Sequence, residues 1–405
     1  MASRFLIVGA GGIGGIVAAH LVEQGHDVTA LTTNPLIADA VSAYGYRVRG
    51  EGAPGPVRGP IVQKLSSSRK FDFILLATQP PQVEEATRSA RAALADGGRF
   101  VCFQNGLCEE RVGALVGLDN VIGAVVAWGA SMVEPGVYDR TSSGGFQLGR
   151  WDGAVDARVE ELASALECIG PTVVTKNLVG SRWSKLAINC AISSLGTVGG
   201  DRLGVLMRQR FVRRLALEIM TETTEVARAH GVRLEKVAGT LDLDWLALTE
   251  NDKTSGGSAS LVAKHALLLA VGARYRRLRS SMLAAIERGR PPSVDFLNGE
   301  VVTRGQAAGI PTPINAAIRE EVLAIAKGKS KSSHSLLRAF FDRTRSLLAP
   351  TPVSVAPPPA PDADTIEEQP LDFAPAASSP SPAVTDPSEP LPEAMEKPPE
   401  GSAGR

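Results

Sequence analysis

The stretch Phe5-Leu6-Ile7-Val8-Gly9-Ala10-Gly11-Gly12-Ile13-Gly14 decides the reading of the fold. A run of apolar residues passes straight into G-x-G-x-x-G, and helical spacing follows at Ile13, Ile16, Val17 and Leu21 until Gly25. The glycine pattern alone is weak. Placed between a strand and a helix, it marks a dinucleotide-binding turn. Gly9 allows the tight turn, Gly11 lets a pyrophosphate approach the backbone, and Gly14 lets the helix pack close to the strand. The segment Gly9, Ala10, Gly11, Gly12, Ile13 and Gly14 is therefore the candidate phosphate cradle. The start of the helix supplies free N–H groups and partial positive charge.

Working outward, a second apolar stretch covers Val28–Leu31. Further strands are expected at Phe73–Ala77, Arg99–Phe103 and Val121–Val126, with helices at Pro81–Ala95 and Glu109–Leu115 between them. Continuous apolar strands alternating with helices imply a parallel sheet covered on both faces. Gly136–Asp139 and Gly145–Leu148 read as an antiparallel ribbon closing the sheet edge. From about Leu178 the pattern turns helical, with long stretches at Arg182–Ser194, Phe211–His230, Ala259–Leu269 and Leu297–Ala308. The fold class is α/β: a Rossmann-type parallel-sheet domain over 1–177, an all-α domain over 178–346, and a disordered acidic Pro-rich tail over 347–405.

That tail hides inside neutral totals. The 405 residues carry 43 basic and 43 acidic groups. From Pro350 to Arg405, however, stand fifteen of the 27 prolines, ten acids and only the bases Lys397 and Arg405. Few large apolar groups and fixed φ angles leave such a segment nothing to bury. Its partner, if any, is not legible. A zero net charge argues against a nucleic-acid binder, and no apolar run reaches the roughly 18 residues that span a bilayer. The start of the chain is too short for a signal peptide before the glycine loop interrupts it. The four cysteines, Cys102, Cys108, Cys168 and Cys190, form no CxxC pair, so neither a zinc site nor a disulfide framework is expected. A reducing cytosol is the expected compartment, and no metal is expected.

An NAD site usually places a carboxylate at the end of the second strand. That strand ends Leu31-Thr32-Thr33-Asn34, and Asp27 stands at its beginning. Without an acid to repel a 2′-phosphate, and with Thr32, Thr33 and Asn34 as donors, NADP(H) is favoured over NAD(H).

Three segments line up as a catalytic constellation. Phe103-Gln104-Asn105-Gly106 follows a sheet strand, where a Rossmann ligand lies. Lys185-Leu186-Ala187-Ile188-Asn189 opens the first long helix of the second domain, and its polar ends share one face. Ser280-Ser281-Met282 precedes Arg290-Pro291-Pro292-Ser293-Val294-Asp295-Phe296-Leu297-Asn298-Gly299. On spacing alone, Lys185 either snorkels to solvent or points into a cleft.

Together these segments resemble the ketopantoate reductase (2-dehydropantoate 2-reductase) family. The resemblance covers roughly residues 4–330 and rests on the glycine loop, the NG pair, K-x-x-x-N, SSM and D-x-L-N-G in the family's order. It implies NADPH-dependent reduction of a 2-keto acid to a 2-hydroxy acid (pantoate), as in pantothenate and coenzyme A biosynthesis. Lys185 would supply the proton to the keto oxygen while NADPH delivers hydride to the carbonyl carbon. Asn105 would bridge nicotinamide and substrate, and Asn189 and Ser281 would bind substrate oxygens. Four positions depart from the family pattern. Ser293 stands at the active-site glutamate, Ser193 at the second helix asparagine, Gln79 at a lysine near the cofactor phosphates, and Thr33 at the arginine that meets the 2′-phosphate. Ser193 and Ser293 are thus carried as substrate-site positions, and Thr33 and Gln79 as cofactor-site positions. Asp295 is a poor substitute for the missing glutamate.

Other residues read blandly. The five histidines match no ligand spacing. Cys190 is expected as a small buried residue, Glu109 and Glu110 as favourable charges at a helix start, Trp128 as core, and Phe296-Leu297 as packing for the helical core. Two alternatives accompany the main reading: the same chemistry on another keto or hydroxy acid, or a cofactor-binding paralogue without turnover. The oligomeric state is open, with a homodimer as one candidate.

Overall fold

The computed structural model describes residues 3–348 except 51, 67, 238–240 and 255–257, and at Leu347 and Leu348 only the backbone. Contacts divide the chain into two units, Met1–Pro350 and Thr351–Arg405, and the second lies outside the described residues.

The first half runs β1 (Arg4–Val8), α1 (Gly12–Glu23), β2 (Asp27–Leu31), α2 (Pro35–Tyr44), β3 (Arg47–Arg49), β4 (Ile61–Val62), β5 (Phe71–Leu76), α3 (Val83–Ala90), β6 (Leu94–Cys102) and α4 (Cys108–Val116). It continues with β7 (Val121–Val126), β8 (Ala130–Glu134), β9 (Val137–Arg140), β10 (Phe146–Gly149), α5 (Ala157–Leu166) and β11 (Thr172–Val174). Eight strands make the main sheet in the order β11-β10-β7-β6-β5-β1-β2-β4. Every pairing is parallel except β10 on β7. Apolar residues of alternating parity on β1 go to opposite faces. Phe5 and Ile7 join the cluster under α1 and α5, whereas Leu6 and Val8 join the one under α3 and α4. The expected doubly covered sheet is present.

The expected ribbon is not. β9 pairs with β8 and β3 in a separate three-stranded sheet, while β10 alone closes onto β7. The small sheet packs on α1, and the Tyr138 hydroxyl donates to Ala10 O at 3.2 Å. The expected helix Pro81–Ala95 also stops short: its last turn is 3-10 and Leu94 already starts β6.

The second half is helical: α6 (Leu178–Gly199), α7 (Leu203–Leu206), α8 (Arg210–Ala229), α9 (Leu243–Leu246), α10 (Glu250–Thr254), α11 (Ala259–Arg274), α12 (Ser281–Glu287), α13 (Asn298–Ala308), α14 (Pro313–Ala326) and α15 (His334–Leu348). Asn177 caps α6, its side chain accepting from Gly180 N at 3.0 Å. The helix α15 runs through Leu348, two residues into the stretch read as tail, and the rest of that stretch is outside the described residues.

A buried carboxylate organises the helical core. Glu222 of α8 accepts from Ile314 N, Asn315 N and Asn315 Nδ2, each at 2.8 Å, and so caps α14. Burial pushes this carboxyl up to about 7. Removing it strands several donors inside the core, each costing about 1–3 kcal/mol when unmet. We expect Glu222→Ala to lower the unfolding free energy by about 3 kcal/mol or more, read from the urea midpoint at unchanged m-value.

Candidate active site

The glycine loop has the shape its residues dictate. Gly9 adopts φ 103°, and its N–H donates to Leu31 O at 2.8 Å. A Cβ on Gly14 would lie 1.9 Å from Gly9 O, so α1 packs onto the loop only because that position is bare. A Cβ on Gly11 would meet nothing within 4 Å. Gly11 is also the N-cap of α1 without a side-chain cap, so the first amides of Gly12, Ile13 and Gly14 lack an intrahelical acceptor. An open space above bare backbone donors, at the positive end of a helix, suits a pyrophosphate.

At the end of β2, Thr33 is exposed. Thr32 is buried, its Oγ1 accepting from Asn34 N at 3.2 Å, and Asn34 Oδ1 caps α2 by accepting from Leu36 N at 3.0 Å. Of the three polar residues expected there, Thr33 is the one free of such local bonds. Asp27 is ion-paired with Arg69 at the far end of the strand.

Lys185 reaches across from the helical half. Its Nζ donates to Val126 O, the last residue of β7, at 2.8 Å. The ammonium therefore sits at the carboxyl ends of the parallel strands, where ligands of such sheets bind. Burial is the main force lowering its pKa to about 7, with Arg182 adding to the drop and Glu109 opposing it. One turn on, Asn189 carries a buried Nδ2 with no hydrogen-bond partner among the described residues. Ser193 continues the same stripe of α6. Its carbonyl accepts from Ser280 Oγ at 2.8 Å, which brings Ser281 alongside. Ser280 is the buried N-cap of α12, and Ser281 is exposed.

Two turns of the sheet half meet the helical half nearby. A Cβ on Gly106 would strike Phe296 O at 2.5 Å, so the Asn105-Gly106 turn rests on the 3-10 turn Ser293–Phe296. The short turn Pro80–Gln82, for which exposed Gln79 is the N-cap, packs there too. Asn105 is exposed and Ser293 partly so. Lys185, Asn189 and Ser193 thus follow one another at four-residue steps along α6, with Ser281 next to the Ser280 that bonds Ser193, while Asn105, Gln79 and Ser293 lie in or beside the turns where the two halves touch. Asp295 accepts from Arg319 Nε at 2.6 Å, so its carboxylate is engaged in an ion pair. Asn298 is structural: its Nδ2 donates to Asn315 Oδ1 at 2.9 Å and Cys190 O at 3.3 Å.

Some residues lie elsewhere than expected. Glu109 and Glu110 do stand in the first turn of α4, as expected, but Glu109 is not a solvated charge. It is fully buried and paired with Arg182, which is fully buried as well. Phe296 packs against the sheet-half cluster, under the Arg111 guanidinium at 4.9 Å, whereas Leu297 does join the helical core. Trp128 is buried, edge-on to Phe146. Cys190 is buried, and the burial raises its thiol pKa. Among the described residues, no group of three His, Cys, Asp or Glu is placed to hold a metal, and no helix is long and apolar enough to cross a membrane.

Known proteins resemble this chain over most of its length. The family model described as Ketopantoate reductase PanE/ApbA matches residues 5–153, and that described as Ketopantoate reductase PanE/ApbA C terminal matches residues 177–326. The chain belongs to the ketopantoate reductase family. Among curated members, it is 26% identical to the 2-dehydropantoate 2-reductase of Pyrococcus horikoshii over 77% of this chain and 94% of that protein. It is 25% identical to the 2-dehydropantoate 2-reductase of Vibrio cholerae, over 81% of this chain and all of that one. The fold matches the crystal structure of a PanE/ApbA family ketopantoate reductase from Ralstonia eutropha with TM-score 0.67 at 24% identity, covering 80% of this chain and 99% of that one. It matches D-mandelate dehydrogenase, solved with NADH and anilino(oxo)acetate, with TM-score 0.68 at 19% identity over 80% of this chain and 99% of that one. Ketopantoate reductases are oxidoreductases that use a nicotinamide dinucleotide and a small keto acid.

Proposed function

We propose that this protein reduces 2-dehydropantoate, or a close 2-keto acid, to the 2-hydroxy acid at the expense of NADPH. The observation that carries the reading is the cross-domain placement of Lys185, with its Nζ held at the C-terminal end of β7 beside the glycine cradle's sheet. The residues fit a dinucleotide: Gly9 to Gly14 would take the pyrophosphate, and Asn105 would meet the nicotinamide end. When bound, the dinucleotide supplies hydride to the carbonyl carbon. Lys185 holds a proton on Nζ at the point where the keto oxygen gains negative charge, stabilises that charge and passes the proton to it. Asn189 Nδ2, Ser193, Ser281 and Ser293 orient the remaining substrate oxygens. Preference for NADP(H) is supported by exposed Thr33 and the lack of a carboxylate at the end of β2. The division at Asn177 is supported by its cap on α6. The cytosol remains the compartment of this reading.

A donor whose pKa lies at about 7 must be protonated for reduction. The rate of keto-acid reduction should therefore be flat below pH 7 and fall about tenfold per unit above it, while oxidation of the hydroxy acid shows the mirror limb. A reduction profile flat to pH 9 would exclude Lys185 as the donor.

A second reading, the same chemistry on a different 2-keto acid, is favoured by Ser193 and Ser293 where the family carries larger polar groups, and by the capture of Asp295 by Arg319. The experiment is a spectrophotometric assay of NADPH loss with 2-dehydropantoate and a panel of 2-keto acids, paired with NADPH and NADH titrations. Turnover of 2-dehydropantoate supports the first reading, and turnover of other acids alone selects the second. Tight dinucleotide binding without any turnover overturns both.

A further inference from the structure

We propose that the buried Arg182–Glu109 ion pair is a positioning device for Lys185 that fixes the register between the proton donor and the Asn105 turn and sets the charge around the donor. This rests on the proposed role of Lys185. Arg182 precedes Lys185 by three residues on α6, so the two side chains lie on one face. Its guanidinium donates to Cys102 O at 2.7 Å and Gln104 O at 2.9 Å and pairs with Glu109 of α4. Those carbonyls belong to the end of β6 and the residue just before Asn105. One rigid fork from the helical half therefore holds the loop that carries Asn105 while standing a turn from Lys185. Both members of the pair are 1% exposed. An apolar pair of similar volume would often serve stability as well or better, so the charges call for another use.

The charges acting on Lys185 are Arg182, which favours release of its proton, and Glu109, which favours retention. The neighbouring thiols Cys102 and Cys108 are held well above the usual range by burial. The strands that touch α6, β7 and β10, carry no ionisable side chain, nor does α7. The helices packed on α6 direct their charges elsewhere. On α8, Glu222 faces α14, and Glu218 pairs with Arg214 and Arg345 of α15. On α12, Glu287 pairs with Arg279. On α14, Arg319 pairs with Asp295 and Glu320, and Glu321 pairs with Arg343. On α15, Arg338 pairs with Asp342 and His334 with Asp201. Arg182 and Glu109 are thus the charged groups that adjust a titration whose main determinant is burial.

The test is the pH profile of kcat in the full chain. Glu109→Gln leaves Arg182 uncompensated and should move the alkaline limb about one pH unit lower, whereas Arg182→Met should move it about one unit higher. Arg182→Lys keeps the charge but not the fork, so it should return the limb toward its wild-type position while KM stays raised. Melting curves and NADPH fluorescence titrations accompany each variant. Losses of rate with an unmoved limb in both variants would assign the pair a purely structural role and overturn the proposal. A wild-type profile without a limb, or a Lys185→Ala variant at full rate, would instead sink the role of Lys185 itself. The wild-type protein supplies an arm independent of folding. A buried pair escapes ionic screening, so the limb should stay fixed between about 0.05 and 0.5 M salt. A limb that follows salt would place control of the donor on exposed charges and overturn the proposal as well.

Discussion

Replacing Lys185 by alanine should cut kcat/KM for keto-acid reduction by roughly 10³-fold or more while leaving NADPH affinity within about twofold. Two effects are removed together: a positioned proton, and a cation aimed at the oxygen that becomes negative. The structure separates this loss from a folding defect. Lys185 makes its bond to a single carbonyl, Val126 O, and stranding that acceptor costs about 1–3 kcal/mol at most. The glycine cradle lies on other elements, so dinucleotide binding, followed by fluorescence, should survive. Lys185→Met, which keeps the apolar stem, should be equally inactive and more stable than the alanine variant. A variant that turned over at the wild-type rate would place the proton donor elsewhere.

Gly11→Ala and Gly14→Ala should fail in opposite ways, although only two residues lie between them. Gly11 has φ −79°, which any residue adopts, and its Cβ would point into open space. The alanine variant should therefore melt as the parent does, yet bind NADPH roughly a hundredfold more weakly, because the methyl group displaces the phosphates from the bare amides. At Gly14 the added Cβ would lie 1.9 Å from Gly9 O. There α1 must shift off the loop, at a cost of about 1–3 kcal/mol in stability, and binding falls with it. Paired melting curves and NADPH titrations read both outcomes. Equal melting points for the two variants would contradict the packing described for α1.

The residues that could be read in advance are those whose meaning is local. The strand–glycine–helix order, the change to a helical pattern near residue 178 and the shared face of Lys185 and Asn189 follow from neighbours along the chain. What could not be read depends on partners far away in sequence. Glu109 looks like any acid at a helix start until Arg182, 73 positions later, arrives to bury it. Likewise β9 has the composition of an edge strand, but its partner β3 lies some 90 positions earlier. Phe296 follows the pattern of the helical core and packs on the sheet half because Gly106 lets the Asn105 turn settle against its carbonyl. The only advance signal for Arg182 was its three-residue offset from Lys185, and spacing cannot reveal that a guanidinium is sealed from water.

The bond from Lys185 Nζ to Val126 O ties an element of one half to the last residue of a strand in the other. On the proposed role of Lys185, that single bond makes the position of the proton donor depend on how the helical half seats against the end of β7.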